Sequence, residues 1–148
     1  MRTTRLLSTA LLLALTTSLG CAFGEMRWSD PLDRELSLED AQHRYTVLMR
    51  WSHFEKAANY VHPDVRDEFI ASAPAFRDLR FTEYESDPVE LDEARASATI
   101  EVTYYVYTPT SPMETSVTET QEWTRESGNN WFVKSSFSGL QEILALNQ

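Results

Sequence analysis

The hydrophobic period of this chain changes once, near its middle, and that change restricts the fold more than any other feature. Up to about residue 74 the apolar side chains recur at helical spacing; from about residue 94 they alternate with polar ones. Ala94, Ala96, Ala98, Ile100, Val102, Tyr104 and Val106 interleave with Arg95, Ser97, Thr99, Glu101, Thr103, Tyr105 and Tyr107. That is a long strand with one face buried. Helices followed by strands joined through short turns indicate an α+β fold, with a helical layer over the apolar face of a strongly curved antiparallel sheet.

In the helical half, Ser37-Leu38-Glu39-Asp40 reads as a helix start, with serine at the N-cap and an acid three residues on. Leu38, Ala41, Tyr45, Leu48 and Met49 follow at helical spacing, which predicts a helix over about 38–51. Ser52-His53-Phe54-Glu55 repeats the capping pattern, so a second helix is expected after a bend at Ser52, carrying Phe54, Ala57, Ala58 and Val61 inward. His62-Pro63 ends it, because the residue before proline avoids helical angles. Pro63 opens a third helix, with Asp64, Asp67 and Glu68 in its first turns; it is expected to fade by Pro74.

In the strand half, a first strand over about 79–91 is interrupted by Asp87-Pro88, which suits an edge or a bulge. Thr108-Pro109-Thr110-Ser111-Pro112 breaks the long strand. A further strand over 115–125 sets Val117, Glu119, Gln121 and Trp123 on one face. Ser127-Gly128-Asn129-Asn130 is a turn, and Trp131-Phe132-Val133-Lys134 is the last strand. Residues 140–146 either form a short closing helix or fray.

The chain begins with two arginines, Arg2 and Arg5, then an apolar run over 6–15 that is too short to span a bilayer, which takes ~20 residues. Small residues and a cysteine follow, in Thr17-Ser18-Leu19-Gly20-Cys21-Ala22. This is the pattern of a signal peptide, and Gly20-Cys21 resembles the lipobox of bacterial lipoproteins. Ser18 stands where that pattern usually has a bulky aliphatic residue. The resemblance implies acylation of Cys21 and cleavage between Gly20 and Cys21. Cys21 is the only cysteine, so no internal disulfide can form, and lipidation would remove a thiol exposed to an oxidising compartment. The organisation expected is a leader over 1–20, a tether over 21–36 bearing Phe23, Met26 and Trp28, and a single domain over 37–148. Trp28 would either dock on the fold or sit among lipid headgroups. No aspartate follows Cys21, so the outer membrane, on its periplasmic face, is the expected address within the cell envelope.

The leader takes two of the 13 Lys+Arg with it and none of the 23 Asp+Glu, leaving a net charge of −12. Such a surface repels phosphate backbones, so no nucleic-acid partner is expected. An apolar content of 42% with 11% aromatics fits a folded domain rather than a disordered tail.

Two segments carry a resemblance to the nuclear transport factor 2-like superfamily, a cystatin-like α+β cone. They are Arg50-Trp51-Ser52-His53-Phe54-Glu55-Lys56-Ala57-Ala58-Asn59-Tyr60-Val61-His62-Pro63 and Glu122-Trp123-Thr124-Arg125-Glu126-Ser127-Gly128-Asn129-Asn130-Trp131-Phe132-Val133. The first is similar to that superfamily's second-helix segment, with Ser52-His53 where Gly-Asp is common. The second is similar to its tryptophan-flanked hairpin. The resemblance covers about 37–136. The superfamily includes isomerases, dehydratases, transport adaptors, secretion-machine subunits and many bacterial lipoproteins, so it implies a cone with room for a pocket and no particular chemistry.

Within such a cone, Tyr45, Trp51, Tyr60, Phe76, Tyr104, Trp123 and Trp131 are expected to converge, as core or as pocket wall. Glu119 and Gln121 are unusual, being polar on the face shared with Val117 and Trp123. That face is open to water, lines a polar pocket, or is switched by a bulge; the pocket is the expectation. There Glu119 would act as a base of raised pKa, with Tyr104 donating to an oxyanion, similar to the ketosteroid-isomerase pairing of carboxylate and tyrosine. The other reading is a solvated Glu119 and a core Tyr104. His43, His53 and His62 lack the spacing of a helical zinc site. No nucleophile motif, phosphate loop or dinucleotide fingerprint occurs, so neither metal nor cofactor is expected. The function expected is that of a non-enzymatic envelope lipoprotein binding a partner protein or a small apolar ligand. The alternatives are a small isomerase- or dehydratase-like enzyme and a structural subunit of an envelope assembly.

Overall fold

Eight elements follow one another in the computed structural model, which describes residues 33–135 and 137–146; the expected leader, Cys21 and Trp28 lie outside the described residues. They are α1 (Arg34–Arg50), α2 (Phe54–Ala57), α3 (Pro63–Phe76), β1 (Arg80–Ser86), β2 (Ser97–Thr108), β3 (Ser111–Arg125), β4 (Trp131–Ser135) and α4 (Ser138–Leu146). The strands form one antiparallel sheet in the order β1-β2-β3-β4. Helices packed on a curved four-stranded antiparallel sheet are the α+β architecture that the change of period predicts.

The alternation in β2 decides which face is covered. Ala98, Ile100, Val102, Tyr104 and Val106 are buried, while Thr99 and Glu101 are exposed. They meet Leu38, Tyr45 and Met49 of α1, Phe54 and Ala57 of α2, and Phe69 and Phe76 of α3 in a single core. β3 continues that face with Val117, Glu119, Gln121 and Trp123, all buried. The β2–β3 register runs unbroken from Ser97↔Thr124 to Val106↔Thr115 and includes Val102↔Glu119 and Ile100↔Gln121.

Several boundaries differ from expectation for local reasons. α1 starts at Arg34, three residues before the expected cap, with Asp33 at the N-cap. Ser37 lies inside the first turn: its hydroxyl donates to Arg34 O (2.9 Å) and accepts from Trp131 Nε1 (2.9 Å), tying the helix to β4. Arg34, Glu35 and Leu36 are good helix formers, so the helix absorbs the end of the expected tether. The second helix shrinks to a single turn. Ser52 takes a left-handed conformation (φ 55) and His53 becomes the cap, without a side-chain bond, so the expected capping box does not form. Glu55 pairs with Arg77 instead. Beyond α2 the chain turns alongside β4: His62 N donates to Val133 O (2.9 Å) and Val133 N to Tyr60 O (2.8 Å). The outer edge of β4 is thereby covered.

α3 runs through Pro74 to Phe76, because Phe76 is an anchor, fully buried against Phe54 and Phe137. His62 caps this helix by accepting from Asp64 N at Nδ1 (3.3 Å). β1 is an edge strand with a bulge at Thr82, and it stops at Ser86 instead of resuming beyond Pro88. β2 begins at Ser97, where the Asp92 carboxylate accepts from the backbone of Ala96 (2.7 Å) and Ser97 (3.0 Å) and closes the preceding turn. β3 starts at Ser111, earlier than expected, since Thr108 Oγ1 accepts from Ser111 N (3.1 Å) and tightens the hairpin. Pro112 fits there because β4 pairs with β3 only from Gln121 onward, leaving that stretch at an edge.

Candidate functional site

Pointing the β3 pattern inward creates a problem that the fold has to solve. Glu119 and Gln121 are 2% and 1% exposed, so an unpaired polar group there would cost about 1–3 kcal/mol. No bulge separates them and neither side chain is open to water. They are satisfied from within. Trp123 Nε1 donates to Gln121 Oε1 (3.1 Å), and Gln121 Nε2 donates to the Tyr104 hydroxyl (3.3 Å). For Glu119, Ser135 Oγ (2.7 Å) and Phe137 N (2.9 Å) donate to Oε2, and Leu140 N (3.5 Å) approaches Oε1. The carboxylate thus joins the end of β4 to the first turn of α4, where backbone N–H groups lack helical partners and favour negative charge.

Burial pushes the Glu119 carboxyl above the usual carboxylate range, and its three donors pull the other way. Burial likewise raises the Tyr104 and Tyr45 hydroxyls, and the nearby Glu119 charge adds to both effects. The Tyr45 hydroxyl is buried without a hydrogen-bond partner. Its ring stands edge-on to Trp123, centroids 5.8 Å apart. Of the expected set, therefore, Tyr45, Tyr104, Glu119, Gln121 and Trp123 come together in the sealed core, with Trp123, Gln121 and Tyr104 hydrogen-bonded in file and Glu119 bonded separately to Ser135, Phe137 and Leu140. Phe76 lies in the same core beside Phe54 and Phe137. Trp131 is buried with its indole N–H on Ser37.

Trp51 does not join them. It is 64% exposed, with the Arg50 guanidinium 5.5 Å from its ring centre. Tyr60 is half-buried and packs at the margin of the core. It lines a hollow of about 330 Å³ with His43, Arg44, Val47 and Leu48 on the outer side of α1. Arg44 and Tyr60 also line a more polar hollow of about 380 Å³, with Asp40, Asn59, Asn130 and Phe132. A smaller cleft of about 160 Å³ lies between α3 and α4, beside Phe69, Ser135 and Phe137. The histidines are dispersed: His43 Nδ1 bonds the Tyr84 hydroxyl (3.1 Å), and His62 caps α3. Among the described residues no three His, Cys, Asp or Glu side chains gather where a metal could be held.

Sequence reasoning missed Ser135, Phe137 and Leu140, the partners of Glu119. Two of the three act through backbone N–H groups, which leave no mark in residue type. A hydroxyl at the end of β4 was the one available signal.

The Glu119 carboxyl gives a pH test. Its folded pKa lies above that of the unfolded chain, so the native state holds the proton more tightly. Its contribution to stability is present at acid pH and is lost as pH rises from the ordinary glutamate range, about 4.3, through the raised value. Glu119→Gln has no proton to lose. Its urea midpoint should gain on that of the wild type across this rise; parallel pH profiles would contradict the assignment.

No family model matches the chain, and no curated protein matches it in sequence. Solved structures do match in fold. A SEC-C motif containing protein from Rhodopseudomonas palustris superposes with a TM-score of 0.56 at 15% identity, covering 72% of this chain and 85% of that one. A candidate polyketide cyclase from Xanthomonas campestris pv. campestris gives a TM-score of 0.54 at 10% identity, covering 78% of this chain and 99% of that one. The latter has the nuclear transport factor 2-like type of fold. At these identities the likeness concerns the fold alone.

Proposed function

We propose that this chain is an envelope lipoprotein, held to a membrane through acylated Cys21, whose domain serves as a non-enzymatic binding or accessory module. The observation that carries the non-enzymatic reading is the use made of Glu119. A general base needs a free oxygen within reach of its substrate. Here both oxygens face donors of the chain itself, on a side chain 2% exposed. The Tyr104 hydroxyl accepts from Gln121 Nε2, on a side chain 1% exposed and so out of a ligand's reach. The isomerase- or dehydratase-like alternative keeps the raised Glu119 carboxyl in its favour, but it requires that file to open.

Binding is then a matter for the outer surface. The hollow on α1 combines apolar walls from Val47, Leu48 and Tyr60 with polar groups from Arg44 and His43, the mixture that orients an apolar group of a partner. Attachment rests on the Gly20-Cys21 pattern and the short apolar leader. No described helix is long and apolar enough to cross a membrane. The outer membrane, facing the periplasm, is the proposed address.

Fractionation of native cells tests the anchor. Wild-type protein should partition with membranes and carry acyl chains on Cys21, read by the mass of its N-terminal peptide. Cys21→Ala should be unacylated and either soluble or uncleaved. A free Cys21 thiol in mature wild-type protein would sink the proposal. A photo-crosslinker at Val47 tests the surface: it should trap a defined partner or lipid that one at Thr120 does not, and equal yields at both sites would discard the hollow.

A further inference from the structure

The last element is attached differently from the rest of the fold. The backbone enters α4 through Phe137, whose φ of 50 is a conformation that a bulky side chain rarely adopts. Such a conformation persists only when its surroundings hold it. Two contacts do so. The Phe137 ring packs on Phe69 and Phe76, with centroids 5.3 and 5.5 Å away, and its N–H donates to Glu119 Oε2. The same carboxylate receives Ser135 Oγ from the strand side and faces Leu140 N from the helix side. A single side chain therefore bonds to both flanks of the turn.

The helix itself is lightly held. Leu140 is fully buried, Ile143 and Leu144 are half-buried, and Gln141, Glu142 and Ala145 are exposed. Gly139 lets α4 lie flush on β3, since a Cβ there would meet Val117 Cγ1 at 2.5 Å. On its other flank, the cleft of about 160 Å³ beside Phe69, Phe137 and Gln141 leaves it incompletely packed against α3.

We propose that α4 is a releasable strap, hinged at Phe137 and latched by the Glu119 carboxylate, which opens while the sheet stays folded. Opening frees the Glu119 carboxylate from Leu140 N and uncovers Val117, against which α4 lies at Gly139. This holds whether or not the domain is a binding module, because it concerns only how α4 is attached.

Amide hydrogen exchange on the full chain, followed by NMR, tests it. Local opening and global unfolding differ in which amides respond. In the wild type, the α4 amides from Leu140 to Leu144 should exchange faster than those of Ile100 and Val102. Glu119→Gln replaces one acceptor oxygen with an N–H donor. It should speed the α4 amides by about 10- to 100-fold, the worth of a hydrogen bond to a charged group, while the β2 amides keep their rates. Gly139→Ala should have the same selective effect by another route, its Cβ clashing with Val117 Cγ1 while the donors and acceptors of the carboxylate stay in place. Equal acceleration of α4 and β2 would overturn the proposal, since α4 would then open only with the whole domain. Unchanged α4 rates in both variants would overturn the latch. If Glu119→Gln yields no folded protein, Gly139→Ala decides by the same comparison.

Discussion

Trp123→Ala is expected to lower stability by about 3–5 kcal/mol from lost burial and the cavity left behind. The indole is fully buried, stands edge-on to Tyr45, and donates to Gln121 Oε1. Removing it also leaves the Gln121 oxygen buried without its partner, which adds about 1–3 kcal/mol. Against a typical domain stability of about 5–15 kcal/mol, the variant should be close to unfolding. Trp123→Phe keeps most of the volume but loses the N–H, so it should fall between wild type and alanine. Urea unfolding of the three proteins checks this order. A phenylalanine variant as stable as the wild type would show that the hydrogen-bonded file adds nothing beyond packing.

The second large effect concerns register. Ile100 is fully buried against the helices, and its Cα partner across the ladder is Gln121. Ile100→Ala should cost about 2–5 kcal/mol. Thr103, three residues along and on the opposite face, bonds only the exposed Thr118 hydroxyl (2.9 Å). Thr103→Ala should change stability by about 0.5 kcal/mol or less. A one-residue slip of β2 would exchange the two results, because side chains alternate between faces. Comparable costs at both positions, measured by urea unfolding, would refute the register.

The two experiments probe different levels of the fold. The Ile100 and Thr103 pair tests a pattern that is local, a period of two repeated over one strand. The Trp123 variants test an arrangement that joins β2, β3 and α1. If the first result held and the second failed, the sheet would be placed correctly while its polar interior would contribute little to stability.

Much of the architecture follows from residue order alone. The helical spacing of Leu38, Tyr45 and Met49, the alternation in β2 and the Ser127-Gly128-Asn129-Asn130 turn each act over a few residues, so they can be read without knowing what packs on them. Element order and the buried face of the long strand were determined in this way, whereas for Glu119 and Gln121 the alternation leaves water, a polar pocket or a bulge, with the pocket expected. The expected leader, with its lipobox-like Gly20-Cys21 pattern, is read from sequence alone and lies outside the described residues.

What a side chain does once inside is settled by partners far away in the chain. Trp51 is expected among the converging aromatics of the cone, but the left-handed turn at Ser52 ends the helical path and leaves that ring in solvent. Ser37 has the residue type of a cap, yet Trp131, 94 residues further on, takes its hydroxyl. Glu119 has the residue type of a base, and only the docking of α4 assigns its oxygens to Ser135, Phe137 and Leu140. Backbone donors of this kind are the same for every residue type except proline, so a sequence cannot display them. The period of the chain determined which groups turn inward. The tertiary contacts decided whether those groups meet water, a ligand or one another, because a buried polar atom takes whichever donor the packed chain brings within about 3 Å.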